Sequence, residues 1–269
     1  MLFERDKPVN DQTLDHLADG AADLMARSEK IVVFTGAGVS TESGIPDFRS
    51  PGGIWDRFDP DDFTYQKFIR DASTRRKQWQ MLWKERLVET VMPNPAHYGI
   101  ADLDKIGKLD CVITQNVDNL HQAAGVPDDK VFELHGSMRR VVCLQCRRRY
   151  PMAEIKQRLD AGEEVPDCAA CHGILKPDIV LFGEALPDEV FSEATFHAEN
   201  CDLFIVVGSS LVVYPAALLP GYATDSGAGL IIINLSETPM DERATIIIRA
   251  RAGEAMTRIM QKLTEKRSG

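Results

Sequence analysis

No apolar run in this sequence approaches the roughly 18 to 20 residues that a membrane-spanning helix needs, so no membrane partner is expected. The first residues, Met1-Leu2-Phe3-Glu4-Arg5-Asp6, lack an apolar signal region, and their acids argue against an organelle transit peptide. A cytoplasmic location is the reading that follows, and thiols stay reduced there. A basic excess is also missing. With 31 Lys and Arg against 41 Asp and Glu, the net charge is −10, which argues against general nucleic-acid affinity and for basic partners. Internal repeats and low-complexity tracts are absent. Cysteine is scarce: six in 269 residues, four of them in two C-x-x-C pairs, which in a reducing compartment point to a metal before a disulfide. What remains is ordinary globular protein, 44% hydrophobic and 27% charged, long enough for one large domain or one domain carrying inserts.

The apolar runs are short and separated by helical periodicity. Ile31–Phe34, Cys111–Thr114, Val131–Leu134, Asp178–Glu184, Leu203–Val207, Leu230–Ile233 and Ala244–Ile248 read as strands. Helices are predicted over 11–28, 63–92, 96–106, 188–199 and 254–266. Leu14, Leu17, Ala21, Leu24 and Met25 form the stripe of the first helix, and Trp79, Leu82, Trp83, Leu87 and Val91 that of the second. Strands alternating with helices imply an α/β fold with a doubly wound parallel sheet. Residues 138–177 change character, being arginine-rich and cysteine-containing, and read as an insert.

Polar clusters sit at the ends of these strands, where open α/β sheets bind ligands. After the first strand come Gly36-Ala37-Gly38, Ser40 and Thr41, a turn suited to a pyrophosphate. It departs from the dinucleotide fingerprint, because position 41 is Thr and no acid-ended strand follows about 20 residues on, which argues against hydride transfer. Its tail, Ile45-Pro46-Asp47-Phe48-Arg49, adds a carboxylate, a ring and a guanidinium that a simple cradle does not need. Gln115-Asn116-Val117-Asp118-Asn119 ends the second strand. His135 ends the third and precedes Gly136, which leaves its ring accessible. Gly208-Ser209-Ser210 and Asn234-Leu235-Ser236 supply polar groups from the other half of the sheet. Cys143-x-x-Cys146 and Cys168-x-x-Cys171 have the pattern of a closed, structural zinc site. Cys111 and Cys201 read as small core residues, His172 as a bystander, and Arg139, Arg140, Arg147, Arg148 and Arg149 as a solvated face.

These motifs, GAGVSTESGIPDFRS, TQNVDNLH, ELHGS, the paired cysteines, KPDIVLFGE, VGSSLVVYPA and INLSET, stand in the order found in sirtuins, the NAD-dependent protein deacylases, and the resemblance runs from about Ala21 to Leu263. It implies a Rossmann-like NAD-binding domain (1–45, 97–138 and 178–269) and a smaller domain made of a helical insert (46–96) and a zinc-binding insert (139–177). NAD, consumed as co-substrate, and an acyl-lysine protein would meet between them. By the resemblance, Gly36, Ala37, Gly38, Ser40, Thr41 and Glu42 line the pyrophosphate side. Asp47, Phe48, Arg49 and Trp55 lie toward the nicotinamide. Gln115, Asn116, Val117 and Asp118 hold the nicotinamide ribose and carboxamide, with Asn116 and Asp118 counted as catalytic beside His135, the base. Gly208, Ser209, Ser210, Asn234, Leu235, Ser236 and Ala252 take the adenosine half. Val180, Phe182, Gly183, Glu184 and Val213 bind the substrate backbone by β-augmentation.

The implied chemistry is attack of the acyl oxygen on the ribose as nicotinamide leaves, giving free lysine, nicotinamide and O-acyl-ADP-ribose. Members that prefer acidic acyl groups carry a Tyr and an Arg where an ungapped alignment puts Leu82 and Glu85, so acetyl or a longer neutral chain is expected. The segments FIRDASTRRKQWQ, PNPAH and VVCLQC look most similar to the mitochondrial-type class II branch, some of whose members act on lipoyl-like groups or ADP-ribosylate proteins. The N-terminus fits a bacterial cytosolic protein better than a mitochondrial one. A non-catalytic NAD or ADP-ribose sensor is the reading from another class. The oligomeric state is left open by the sequence.

Overall fold

A computed structural model describes residues 10–84 and 91–268. The chain runs α1 (Asp11–Arg27), β1 (Ile31–Thr35), α2 (Tyr65–Arg70), α3 (Ala72–Lys84), α4 (Pro95–Lys105), β2 (Leu109–Thr114) and α5 (Leu120–Ala123). It continues β3 (Val131–Glu133), β4 (Gly136–Cys143), β5 (Arg149–Pro151), α6 (Met152–Asp160), β6 (Leu175–Ile179) and α7 (Asp188–Glu199). The last elements are β7 (Leu203–Val207), α8 (Leu219–Asp225), β8 (Gly229–Ile233), β9 (Ile246–Ile248) and α9 (Ala252–Ser268).

Six strands form one parallel sheet in the order β3-β2-β1-β7-β8-β9. Strands β1 and β7 are buried at every residue because helices cover both faces. On one face α1, α4 and α9 close over Val33, Val112, Ile205 and Ile231; on the other α7 and α8 close over Phe34, Ile113, Phe204 and Ile232. The strand order reverses between β1 and β7, and the crevice above that point is where such sheets take a ligand. Helix starts follow local chemistry: the Asn10 side chain accepts from Thr13 N at 2.9 Å, and Asn94 with His97 makes a capping box at α4.

A second, three-stranded antiparallel sheet, β5-β4-β6, carries the cysteines. Its core of Val141, Cys143, Tyr150, Ile155 and Leu175 also holds Trp79 and Leu82 of α3, so the helical segment packs on the cysteine-bearing one. Strands β4 and β6 begin and end outside 139–177, at Gly136 and Ile179.

Two elements depart from expectation. The run 178–184 is not a strand of the parallel sheet: β6 pairs with β4, and the chain beyond it finds its hydrogen bonds elsewhere. Val180 N–H donates to His135 O (2.9 Å) and Phe182 N–H to Phe63 O (3.0 Å). An apolar run can satisfy its backbone in loops as well as in a sheet. The helix expected over 63–92 breaks at Asp71, whose carboxylate caps the next helix through Ser73 and Thr74, while the stripe residue Leu87 lies outside the described residues.

Candidate functional site

The loops after β1 and β7 meet face to face. Gly36 and Gly38 have ordinary negative φ or extended backbone, so turn geometry does not demand them. A Cβ on Gly36 would lie 2.9 Å, and on Gly38 2.8 Å, from the Gly208 carbonyl oxygen, and Gly208 itself has φ +63°. The glycines let two loops close on each other at the switch point. After Gly36 the chain makes a 3-10 helix, Ala37–Ser43, rather than an α-helix.

Above this contact lies a cavity of about 540 Å³. Gly36, Ala37, Gly38, Thr41, Glu42, Asp47, Phe48, Arg49, Gln115, Asn116 and His135 line one part of it. Gly208, Ser209, Ser210, Val213, Asn234, Leu235, Ser236 and Ala252 line another part. Its extent and its glycine-floored, hydroxyl-lined wall suit a dinucleotide.

His135 is held by its Nδ1, 2.9 Å from Gln115 O. A carbonyl only accepts, so Nδ1 carries the proton and Nε2 is left with a free lone pair. Burial lowers the His135 pKa, outweighing the opposing effect of the Gln115 carbonyl. The result is a neutral imidazole ready to take a proton. Gly136 has φ +77°, and a Cβ there would strike the Asp178 carbonyl, so this glycine serves the close approach of β4 to β6 rather than access to the ring.

Ser40 and Asp118 stand behind Asn116 and outside the cavity lining. The Ser40 hydroxyl donates to Asp118 Oδ2 (2.7 Å), and Asn116 Nδ2 donates to both Ser40 Oγ (3.0 Å) and Asp118 Oδ2 (3.2 Å). The Asn116 amide is thereby aimed from below. His97 and His121, with tilted rings 5.0 Å apart, adjoin this group, and burial pushes the His97 pKa down to about 4. Asp47 braces its own loop: its carboxylate accepts from Arg49 N, Ser50 N and the Ser50 hydroxyl, fixing the turn that carries Phe48 and Arg49. Burial would raise its pKa, but these bonds outweigh it and hold the carboxyl below its ordinary value. Glu42 accepts from Gly253 N at 2.6 Å, tying the glycine loop to the start of α9.

Trp55, Val117, Val180, Phe182, Gly183 and Glu184 do not line the cavity. Trp55 packs among Phe48 (5.1 Å, tilted), Phe63 (5.2 Å, edge-on) and Phe182 (5.8 Å, tilted), forming an aromatic cluster around Phe48 of the cavity wall. The Glu184 carboxylate is taken by Lys176 (2.9 Å) and Leu181 N (3.0 Å). Ser50, Val212, Ile233, Ala250 and Arg251 also line the cavity; the first three fall within the sequence motifs without an assigned role, and the last two fall outside them. Ala250 and Arg251 come just after β9, which ends at Ile248, so the rule that ligands gather at carboxyl ends of strands would have found them.

In the small sheet the four cysteine sulfurs lie within 4.8 Å of one another, with Cys143–Cys171 at 3.5 Å and Cys146–Cys168 at 3.6 Å. Zinc–sulfur bonds of about 2.3 Å at tetrahedral angles put sulfurs about 3.8 Å apart, so the set fits a closed zinc site. The Tyr150 hydroxyl, 3.1 Å from the Cys168 sulfur, draws that thiol down to about 6.

Residues 36–215 match the Sir2 family. The NAD-dependent protein deacetylase 1 of Pyrobaculum aerophilum is 46% identical over 94% of this chain and 97% of its own length. The NAD-dependent protein deacylase 2 of Archaeoglobus fulgidus is 43% identical over 92% and 96%. Among solved structures, one described as the structural basis for the mechanism and regulation of Sir2 enzymes superposes with a TM-score of 0.84 at 41% identity, covering 94% of this chain and 99% of that one. A Sir2 protein bound to a myristoylated histone peptide gives 0.79 at 39% identity, covering 94% and 99%. With a family match over most of its length and relatives of this similarity, the chain belongs to the Sir2 family, the sirtuins.

Proposed function

We propose that this protein removes acyl groups from protein lysines while consuming NAD, releasing nicotinamide and O-acyl-ADP-ribose. The observation that carries the reading is His135: a neutral imidazole, its proton fixed on Nδ1 by Gln115 O, at the wall of a cavity shared by the loops after β1 and β7. In this reading Nε2 takes a proton from a ribose hydroxyl. Asn116, aimed by Ser40 and Asp118, orients the carboxamide, and Phe48 walls off water. Gly36, Ala37, Gly38 and Thr41 face the pyrophosphate. Ser209, Ser210, Asn234, Leu235, Ser236 and Ala252 face the adenosine half, with Glu42 bracing that side through Gly253.

The acyl group proposed is acetyl or a longer neutral chain. Its support is the apolar cluster of Phe48, Trp55, Phe63 and Phe182, and the myristoylated peptide bound by a structural relative. Leu82 and Glu85 give no support, since Leu82 is buried in one core with Trp79 and Glu85 lies outside the described residues. The peptide is proposed to run along Val180–Glu184 with Val213 opposite. Phe182 would contribute its half-exposed ring, because its N–H and C=O are already engaged with Phe63 and Tyr65. The likeness to the mitochondrial-type branch rests on the segments around Trp79, His97 and Cys143 alone.

The test is incubation with NAD and peptides bearing acetyl, butyryl, myristoyl, lipoyl and succinyl lysine, read by mass spectrometry. Neutral chains are expected to leave as O-acyl-ADP-ribose and the succinyl group to stay. Absence of deacylation across the panel would overturn the reading, and label from NAD retained on protein would favour ADP-ribosyl transfer instead.

A further inference from the structure

A cluster of side chains that this chemistry does not use lies at the other, amino-terminal end of the parallel sheet. The pairing of β1 with β2 slips between Ile31 and Val32: Ile31 stands opposite Leu109 and Val32 opposite Cys111, so Asp110 is an extra residue. Such a bulge re-aims side chains that would otherwise alternate. Leu109 still packs into the core under α1, α4 and α9, and Cys111 into the core under α7 and α8. Asp110 turns to the same side as Cys111. There it meets His197 in the last turn of α7, with Asp110 Oδ2 2.6 Å from His197 Nδ1. Phe132 of β3 lies against the imidazole at 5.0 Å and fixes the ring. One ligand atom each from Asp110, Cys111 and His197 falls within 4.8 Å of the others.

We propose that Asp110, Cys111 and His197 form a second transition-metal site, separate from the four-cysteine set, that takes zinc or an ion of similar softness. A carboxylate oxygen, a thiolate sulfur and an imidazole nitrogen are the ligand types such an ion selects, and the ion would close the bulge of β2 onto α7. Three protein ligands leave a fourth position to water, unlike the closed set on the small sheet. Asp110 and His197 side chains are each about a quarter exposed, which gives the ion a path from solvent. Bond lengths of 2.0–2.2 Å to nitrogen and oxygen place tetrahedral neighbours about 3.4 Å apart, so Nδ1 and Oδ2 must part by a little under 1 Å, within reach of two side-chain rotations. A thiol binds such an ion as thiolate, so loading releases the Cys111 proton to solvent.

The experiment uses the full chain with its four-cysteine site loaded, dialysed against micromolar zinc, and the metal-to-protein ratio is measured by atomic emission. The wild type is expected to hold about two zinc ions per chain, and His197→Gln and Asp110→Asn about one. Cobalt(II) added instead to protein carrying one zinc per chain, in the four-cysteine set, should produce a thiolate-to-cobalt charge-transfer band that Cys111→Ser lacks. His197→Gln, at a partly exposed position, keeps the test valid should the buried Cys111 variant fold poorly. A ratio near one in the wild type overturns the proposal, as does a second ion that His197→Gln retains.

Discussion

Gln115 serves the site twice: its backbone oxygen holds the His135 ring, and its side-chain oxygen accepts from the Ser209 hydroxyl at 2.8 Å. One residue thus couples the base to the β7 loop. A positioned base is worth about 10²- to 10⁴-fold in rate. His135→Ala should therefore lower turnover by that order while NAD binding, followed by calorimetry, stays close to wild type. Near-wild-type turnover would remove His135 from the mechanism. The lowered His135 pKa has a sign that can be checked. The base works deprotonated, so activity should persist as pH falls through 6.5, the ordinary histidine value, and fail only below it. A pH–rate profile whose acid limb sits at or above that value would contradict the assignment. Little of this was legible in sequence. The tails of the motifs named Asn116, Asp118 and His135, but which atom aims which depends on loops from distant strands. Asp47 reads as a ligand-facing carboxylate, and it does line the cavity, but its three local hydrogen bonds, which brace the loop, are not visible in the sequence.

Among the elements, the loops after β1 and β7 and the β4–β6 contact are built on missing Cβ atoms. Gly136→Ala should destabilise the fold by at least about 1–3 kcal/mol, since it combines a strained φ with overpacking against Asp178. Urea unfolding would measure it. The cysteine-bearing sheet makes a separate forecast. Trp79 is fully buried against Cys143 and Tyr150, so removing zinc with a chelator should red-shift tryptophan emission while the parallel sheet keeps its circular dichroism. Unchanged emission after zinc loss would show that the helical segment does not depend on the metal. Strands β1, β7 and β8 were legible because two-sided burial demands unbroken apolar runs. The segment 178–184 misled because Val180, Leu181 and Phe182 are apolar for loop packing and an exposed ring. Helices α6 and α8 went unread; each is short, and the charged face of α6 masks its three buried residues, Met152, Ile155 and Leu159.

At the scale of the molecule, three buried histidines share one thermodynamic sign. Burial lowers the pKa of His97 (to about 4), His121 and His135. Between that range and the ordinary 6.5 the unfolded chain binds more protons than the folded one, so stability rises with pH there. The histidine contribution is complete above about 6.5 and is lost as pH falls toward 4, and the thermal midpoint should drop across that window. A midpoint that is flat across it would mean that these rings protonate in place. The doubly wound topology followed from the alternation of strands and helices, and with it the position of the cleft. The docking of α3 onto the cysteine-bearing sheet did not, because it depends on Trp79 and Leu82 meeting partners more than fifty residues away in sequence. The most direct test of the whole account is a stoichiometric one, in which an acetyl-lysine peptide and NAD are given to the wild type and to His135→Ala. Equal amounts of free lysine, nicotinamide and O-acetyl-ADP-ribose are expected from the wild type, and NAD binding with product formed about 10²- to 10⁴-fold more slowly from the variant. Lysine freed without nicotinamide, or equal product from both proteins, would contradict it.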